Sequence, residues 1–248
     1  MRYRMNLAYD GSAFCGWQAQ PNARTVQGCI EEAMRLLLRE PSLSIVGCGR
    51  TDTAVNASYY VAHFDFDELD CADLRHRLNS ILPKEISIFS IEAVKEDFHA
   101  RFGARRREYR YYIHTAKDSF KRSYSHLYTY DLDIEAMNRA AGMLVGTHDF
   151  SCFEKLGADN KTSICTVFQA AWIEYEPEIP GEGKYYCFHI SADRFLRNMV
   201  RAIVGTLLDL GRGKRPQESI PALLESHSRC AAGESVPGHA LFLSKVDY

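Results

Sequence analysis

Tyr3, Met5, Leu7 and Tyr9 take every second position of the opening segment, with polar or small residues between them. A strand with one buried face requires that period of two, and it recurs at Tyr60, Ala62, Phe64 and Phe66 and at Tyr109, Tyr111 and Ile113. Asp10-Gly11 supplies a turn after the first run. Elsewhere the period lengthens to that of a helix. Thr25 caps a segment with apolar positions Val26, Cys29, Ile30, Ala33 and Leu37. Asp133 caps another with Ile134, Met137, Ala141 and Leu144, stopped by Gly146. Further strands are predicted over 164–175 and 184–190, and a long helix over 194–210 ended by Gly211. Hairpin signals outnumber crossover units. The pattern therefore predicts an α+β fold of two similar halves, 1–104 and 105–248, each mostly antiparallel sheet with helices packed on it.

Composition narrows the function. At 248 residues and 46% hydrophobic, the chain is long enough to bury a core without staples. No apolar run approaches the ~20 residues of a membrane span, and the opening segment has no apolar signal core. The eight cysteines form neither CxxC nor a His-spaced pattern and read as reduced thiols. These features lead to the expectation of a soluble, cytoplasmic, metal-free protein that binds no membrane. Lys and Arg number 30 against 32 Asp and Glu, so contact with a polyanion must come from local clusters. There is no P-loop, no GxGxxG after a strand, no HExxH and no GxSxG. Triphosphate, nicotinamide and zinc chemistry all lose support.

Three clusters carry chemical potential. Residues 47–57 read GCGRTDTAVNA, in which Arg50, Thr51 and Asp52 share a glycine-punctuated loop. A carboxylate beside guanidinium groups stays ionised and can act as nucleophile or charge stabiliser, although a turn aspartate bonded to its own backbone has the same signature. Arg101, Arg105, Arg106, Arg107 and Arg110 face a single Glu108 and interleave with Tyr109, Tyr111 and Tyr112. Arginine forks bind phosphate oxygens and tyrosine faces stack on unpaired bases, so the alternation favours RNA over a merely solvated strand edge. Arg194, Arg197 and Arg201 fall at helical spacing and would share a face opposite Phe195, Met199 and Ile203. His63, His99, His148 and His189 sit beside aromatic or apolar residues and read as structural.

These landmarks resemble the tRNA pseudouridine synthase A family from end to end. Tyr9-Asp10-Gly11, Phe14 and Gly16-Trp17-Gln18 with Gln20 are similar to its opening YDG-x-x-F-x-GWQ-x-Q, Thr25-Val26-Gln27 to the start of its first helix, and Gly49-Arg50-Thr51-Asp52 to its nucleophile loop. Residues 79–83, Phe98-His99-Ala100-Arg101, Tyr109-Arg110-Tyr111, Gly146-Thr147-His148-Asp149-Phe150 and Met199-Val200-Arg201 follow in the family's order. The resemblance implies the pseudouridine synthase fold and isomerisation of uridine to pseudouridine at positions 38 to 40 of the tRNA anticodon stem-loop. It implies no cofactor, no DNA partner, and a homodimer with one tRNA spanning both subunits. By the same resemblance Asp52 is the nucleophile, on base or sugar. Tyr109 stacks on the uracil and removes the C5 proton, and Arg201 pairs with the aspartate. Arg50 fills the space left by the flipped base, and Thr51, Tyr111 and the arginines at 101, 105, 106, 107, 110, 194 and 197 bind substrate.

The chain departs from the family beside the nucleophile. Where the family continues A/T-GVHA after the aspartate, this sequence has Thr53-Ala54-Val55-Asn56-Ala57. If the family's glycine position needs positive φ, alanine there costs about 1 kcal/mol, and asparagine for histidine removes a titratable group. Three other readings fit less of the sequence: a tRNA-binding protein that has lost catalysis, an enzyme aimed at another RNA uridine, and a nucleoside glycosidase.

Overall fold

The computed structural model describes residues 1–155, 157 and 161–248. The chain forms two compact units, Met1–Arg105 with Phe242–Tyr248, and Arg106–Leu241.

In the first unit, β1 (Arg2–Tyr9) lies between β3 (Asn56–Asp65) and β4 (Ile86–Val94), antiparallel to both. Tyr3, Met5, Leu7 and Tyr9 are all buried, as their spacing predicts. The register sets Tyr3 opposite Phe64, Met5 opposite Ala62 and Leu7 opposite Tyr60, so two predicted apolar faces meet across one ladder. Tyr3 stacks on Phe64 with centroids 5.3 Å apart. β2 (Val46–Gly47) pairs antiparallel with the far end of β3, and β10 (Leu241–Asp247) runs parallel to its start. The predicted second half, 105–248, thus differs from the compact unit: its last strand is claimed by Asn56 and Ala57 of β3, a long-range pairing that local pattern does not encode.

Helix α1 (Val26–Leu38) starts at the predicted cap, with the Thr25 hydroxyl accepting from Gly28 N at 3.3 Å. Its buried face keeps Val26 and Ile30 of the predicted stripe and adds Met34 and the polar Gln27 and Glu31, while Cys29, Ala33 and Leu37 are only half-buried. Helix α2 (Cys71–Ile81), capped by Asp70, packs against β4. The sequence pattern does not predict it, because Leu74 and Leu78 alone face inward and the apolar period is weak.

The second unit holds β5 (Arg106–His114), β7 (Gly146–Asp149), β8 (Ile164–Glu174) and β9 (Tyr185–Ala192) in the antiparallel order β5-β9-β8-β7, with the short β6 (His126–Leu127) parallel to β5. Helix α3 (Ile134–Gly142) packs on β8. The Asn138 amide joins the ladder there, accepting from Trp172 N at 2.7 Å and donating to Trp172 O at 3.1 Å. Asp133 caps α3 as predicted, but the helix ends at Gly142, and Gly146 opens β7 with φ of 120°. Helix α4 (Met199–Gly211) is the most deeply buried helix of the unit, followed by the unpredicted α5 (Ser219–Ser226). Two units of antiparallel-rich sheet with packed helices make the α+β class that the pattern predicts. All eight cysteines are free thiols. Among the described residues no helix is long and apolar enough to cross a membrane.

The buried His63 accepts from Ala100 N at 3.1 Å, and burial pushes its pKa down to about 4. A histidine that refuses its proton when folded but takes it when unfolded stabilises fully above the ordinary value and loses that stability as pH falls toward 4. From pH 7 to pH 5 this histidine should remove about 2 kcal/mol, read as a drop in the urea midpoint. His63→Gln, which keeps an acceptor for Ala100 N, should flatten that part of the pH dependence.

Candidate active site

The loop between β2 and β3 carries Arg50, Thr51 and Asp52, and it rests on the turn that follows β1. Thr51 is buried, its hydroxyl 2.8 Å from that of Tyr9. Its carbonyl accepts from Trp17 N at 3.3 Å, Ala54 N donates to Phe14 O at 3.3 Å, and Val55 N closes back onto Asp52 O at 3.1 Å. Beneath the loop, Trp17 stacks on Tyr60 with centroids 4.0 Å apart, and the Tyr60 hydroxyl donates to Gly49 O. The half-buried Asp52 therefore sits on a backbone fixed on both sides.

Two glycines of the opening motif are explained by this contact. A Cβ on Gly11 would lie 2.1 Å from Val55 O, and one on Gly16 would lie 2.4 Å from Thr51 O. Gly16 also has φ of +86°, so both space and conformation exclude a side chain. Asn56, standing where the family has histidine, is 1% exposed and accepts from Gly11 N at 2.7 Å. It is an uncharged fastener between loop and turn. Ala54 has φ of 62°, the left-handed conformation that an alanine enters at a cost. Arg50 is exposed, and its Nε donates to Gln18 Oε1 at 3.2 Å.

In the second unit, Tyr109 lies on β5 opposite Ile190, largely buried, its ring edge-on to Phe195 at 5.0 Å. Strand alternation divides the arginine-rich segment. Arg107, Tyr109 and Tyr111 share one face of β5, and Arg106, Glu108 and Arg110 the other. Arg106 donates to Ser191 Oγ at 2.9 Å and lies over the Phe168 ring, while Arg107 donates to Asp193 O at 2.9 Å. The exposed Arg110 lies 3.4 Å from Glu108, which is 2.7 Å from His189 Nε2. Arg101 and Arg105, both in the first unit, are exposed.

Tyr111, expected among the substrate-binding residues, is completely enclosed. Its hydroxyl donates to Pro237 O at 3.1 Å, and burial pushes its pKa far above the ordinary value, so it is placed as a core residue. Arg201, in the first turn of α4, donates from Nε to Val236 O at 2.7 Å. The expected helical face of Arg194, Arg197 and Arg201 does not form. Asn198 adopts φ of 67°, which a right-handed helix cannot pass through, and α4 begins only at Met199. Arg194 and Arg197 lie in the segment before the helix, half-buried and exposed respectively. Among the described residues no three His, Cys, Asp or Glu side chains are grouped to hold a metal ion.

Tyr9, Gln18 and Asn56 are contacts of this site that residue chemistry alone did not assign. Tyr9 and Gln18 are members of the YDG and GWQ motifs, and Asn56 stands four residues after Asp52.

Residues 140–248 match the family profile described as tRNA pseudouridine synthase, an enzyme class that isomerises uridine in tRNA. The chain is 48% identical to tRNA pseudouridine synthase A of Bacteroides thetaiotaomicron over 248 residues, covering 100% of this chain and 90% of the relative. It is 44% identical to the protein of that name from Porphyromonas gingivalis, covering 100% and 97%, and 40% identical to tRNA pseudouridine synthase A 1 of Bacillus cereus, covering 100% and 98%. The chain belongs to the tRNA pseudouridine synthase A family.

The strained alanine gives a direct test of the loop. Ala54→Gly should stabilise the protein by about 1 kcal/mol, relief of the left-handed strain outweighing the extra freedom of unfolded glycine. A thermal melt should register this as a rise of roughly 2–4 °C.

Proposed function

We propose that the chain isomerises uridine to pseudouridine at positions 38, 39 and 40 in the anticodon stem-loop of tRNA. The observation that carries this reading is the Arg50-Thr51-Asp52 loop, braced by Tyr9, Gly11, Gly16 and Asn56 in a chain that matches its relatives over its whole length. In the reaction the C1′–N1 bond breaks, the uracil turns, C5 bonds to C1′, the C5 proton leaves and N1 gains one. Composition is unchanged, and no oxidant, reductant or cofactor enters the balance. Asp52 is the nucleophile, on base or sugar. Tyr109 stacks on the uracil and takes the C5 proton, and Arg201 is the counter-charge to the carboxylate. A stacked uridine is out of reach, so the base flips, and Arg50 occupies the space it leaves.

Exposure supports Arg101, Arg105, Arg110 and Arg197 as phosphate contacts, whereas Arg106 and Arg107 are committed to Ser191 and Asp193. Arg194, half-buried with its amide on Asp193, and Thr51, whose hydroxyl meets that of Tyr9, are the further substrate-binding residues of this reading. The enzyme acts in the cytoplasm as a homodimer with one tRNA across both subunits, and DNA is not its substrate. A tRNA-binding protein without catalysis is disfavoured because the three reacting groups are intact despite Ala54 and Asn56.

Tritium release from [5-³H]uridine-labelled tRNA tests the reaction. Asp52→Ala should lower it by at least roughly a thousandfold while tRNA is still bound, with the wild-type product mapping to the anticodon stem-loop. Wild-type protein that binds tRNA and releases no tritium would leave the non-catalytic reading standing.

Affinity should fall steeply with salt, and Arg101→Ala, Arg105→Ala and Arg197→Ala should each lower the slope of log affinity against log salt by about one. Arg106→Ala should leave that slope in place. Titrations of labelled tRNA across a salt series read both.

A further inference from the structure

Arg50 stands at one end of a hydrogen-bond chain whose other end is a buried carboxylate. We propose that Gln18, Gln27 and Glu31 are positioning residues that hold the Arg50 guanidinium in a fixed orientation for the flipped-base step. This inference deepens the role given to Arg50 above and rests on it.

The chain runs through one unit. Arg50 Nε donates to Gln18 Oε1 at 3.2 Å, Gln18 Nε2 to Gln27 Oε1 at 2.7 Å, and Gln27 Nε2 to Glu31 Oε1 at 2.9 Å. Its direction follows from chemistry, since guanidinium only donates and carboxylate only accepts. Gln27 is locked: its oxygen also accepts from Ala19 N at 3.0 Å, and its nitrogen also donates to Ile45 O at 3.1 Å. Turning that amide over would set donor against donor at Ala19, so Gln18 must present its oxygen to Arg50. Every bond points from cation to anion, an arrangement in which each polarises the next.

The far end is equally determined. Glu31 is 6% exposed, and Oε1 also accepts from Ile45 N at 3.0 Å, while Oε2 accepts from Arg35 at 3.1 Å. Gln27, Glu31 and Arg35 are successive i,i+4 neighbours on α1, a polar ridge beside the apolar Val26, Ile30 and Met34. A glutamine and a glutamate on the buried face of an amphipathic helix are costly unless they are fully bonded. Here their bonds reach the loop of Ala19 and, through Gln18, the exposed arginine. The relay takes hold of Nε and leaves the two Nη groups for the substrate. A long exposed side chain with many rotamers is thereby tied to a helix.

The test combines single-turnover tritium release, tRNA affinity and NMR of the Arg50 Nε–H in the free protein. Gln18→Ala, at a half-buried position, and Gln27→Met, inside the fold, should each slow the single turnover by roughly tenfold with tRNA affinity changed less than about twofold. In an Arg50→Ala background neither should slow it further, because the residue they act through is gone. Equal slowing in both backgrounds, or none in either, overturns the proposal. Should Arg50→Ala itself prove as fast as wild type, the catalytic role of Arg50 fails, and the relay is judged by solvent exchange of the Arg50 Nε proton. Protection that is lost in both glutamine variants supports the relay, and exchange unchanged by them refutes it.

Discussion

Residues 50–55 form no helix or strand, so their shape depends on what their backbone is bonded to. That partner is the end of β1 and the turn after it, which hold residues 51–56 through two backbone and two side-chain bonds. Tyr9 takes the Thr51 hydroxyl, Trp17 N the Thr51 carbonyl, Phe14 O the Ala54 amide, and Gly11 N the side chain of Asn56. Four bonds to one segment are a constraint of a different order from four bonds to scattered groups, since the turn cannot move without the loop. The approach is close enough that Gly11 and Gly16 must lack side chains. The YDG and GWQ motifs are therefore a seat for the Asp52 loop, and Trp17 on Tyr60 is the floor beneath it.

Charge follows the same logic of local commitment. A net charge of −2 gives no overall attraction to RNA, and the arginine-rich segment is less free than its composition suggests. Strand alternation sends Arg106 and Arg107 to opposite faces, and each is spent on tying β5 to the β9 side of the sheet. Arg110 lies 3.4 Å from a carboxylate that is itself 2.7 Å from His189 Nε2. Arg110 stays exposed on the strand, and the other exposed arginines of the set, 101, 105 and 197, lie in the loops outside it. A polyanion site built this way depends on backbone geometry more than on a count of positive residues.

Legibility in the sequence tracked how local each determinant is. The strands of Tyr3–Tyr9 and Tyr109–Ile113 were readable because burial on one face imposes a period that needs no knowledge of the partner strand. Thr25 and Asp133 were readable as caps because a cap bonds to amides three residues away. The start of α4 was misplaced because Arg194, Arg197 and Arg201 suit a helix perfectly well by spacing, and the single residue that forbids it, Asn198, is among the few non-glycines that tolerate positive φ. Gln27 and Glu31 do not read as core locally, because polar residues are buried only when distant groups satisfy them, and Gln18 and Ile45 are not adjacent in sequence. Asp52, Tyr109 and Arg201 are assigned their roles by resemblance; the local chemistry of a lone aspartate in a turn does not single it out.

Ala54 and Asn56 show why the departures from the family pattern do not read as decay. A loop held loosely would relieve an unfavourable φ at Ala54 by relaxing, yet Ala54 keeps φ of 62° while its amide still reaches Phe14 O. The surrounding bonds over-determine the conformation, which is the condition under which strain of about 1–2 kcal/mol persists. Asn56 contributes to that over-determination. Its carbonyl oxygen accepts from Gly11 N whatever the pH, whereas an imidazole would serve as acceptor in its neutral form alone. Replacing histidine by asparagine at this position exchanges a titrating fastener for a constant one, and alanine at 54 is carried by the rigidity that results. The two substitutions are thus mechanically consistent with each other and with an Asp52 held in place.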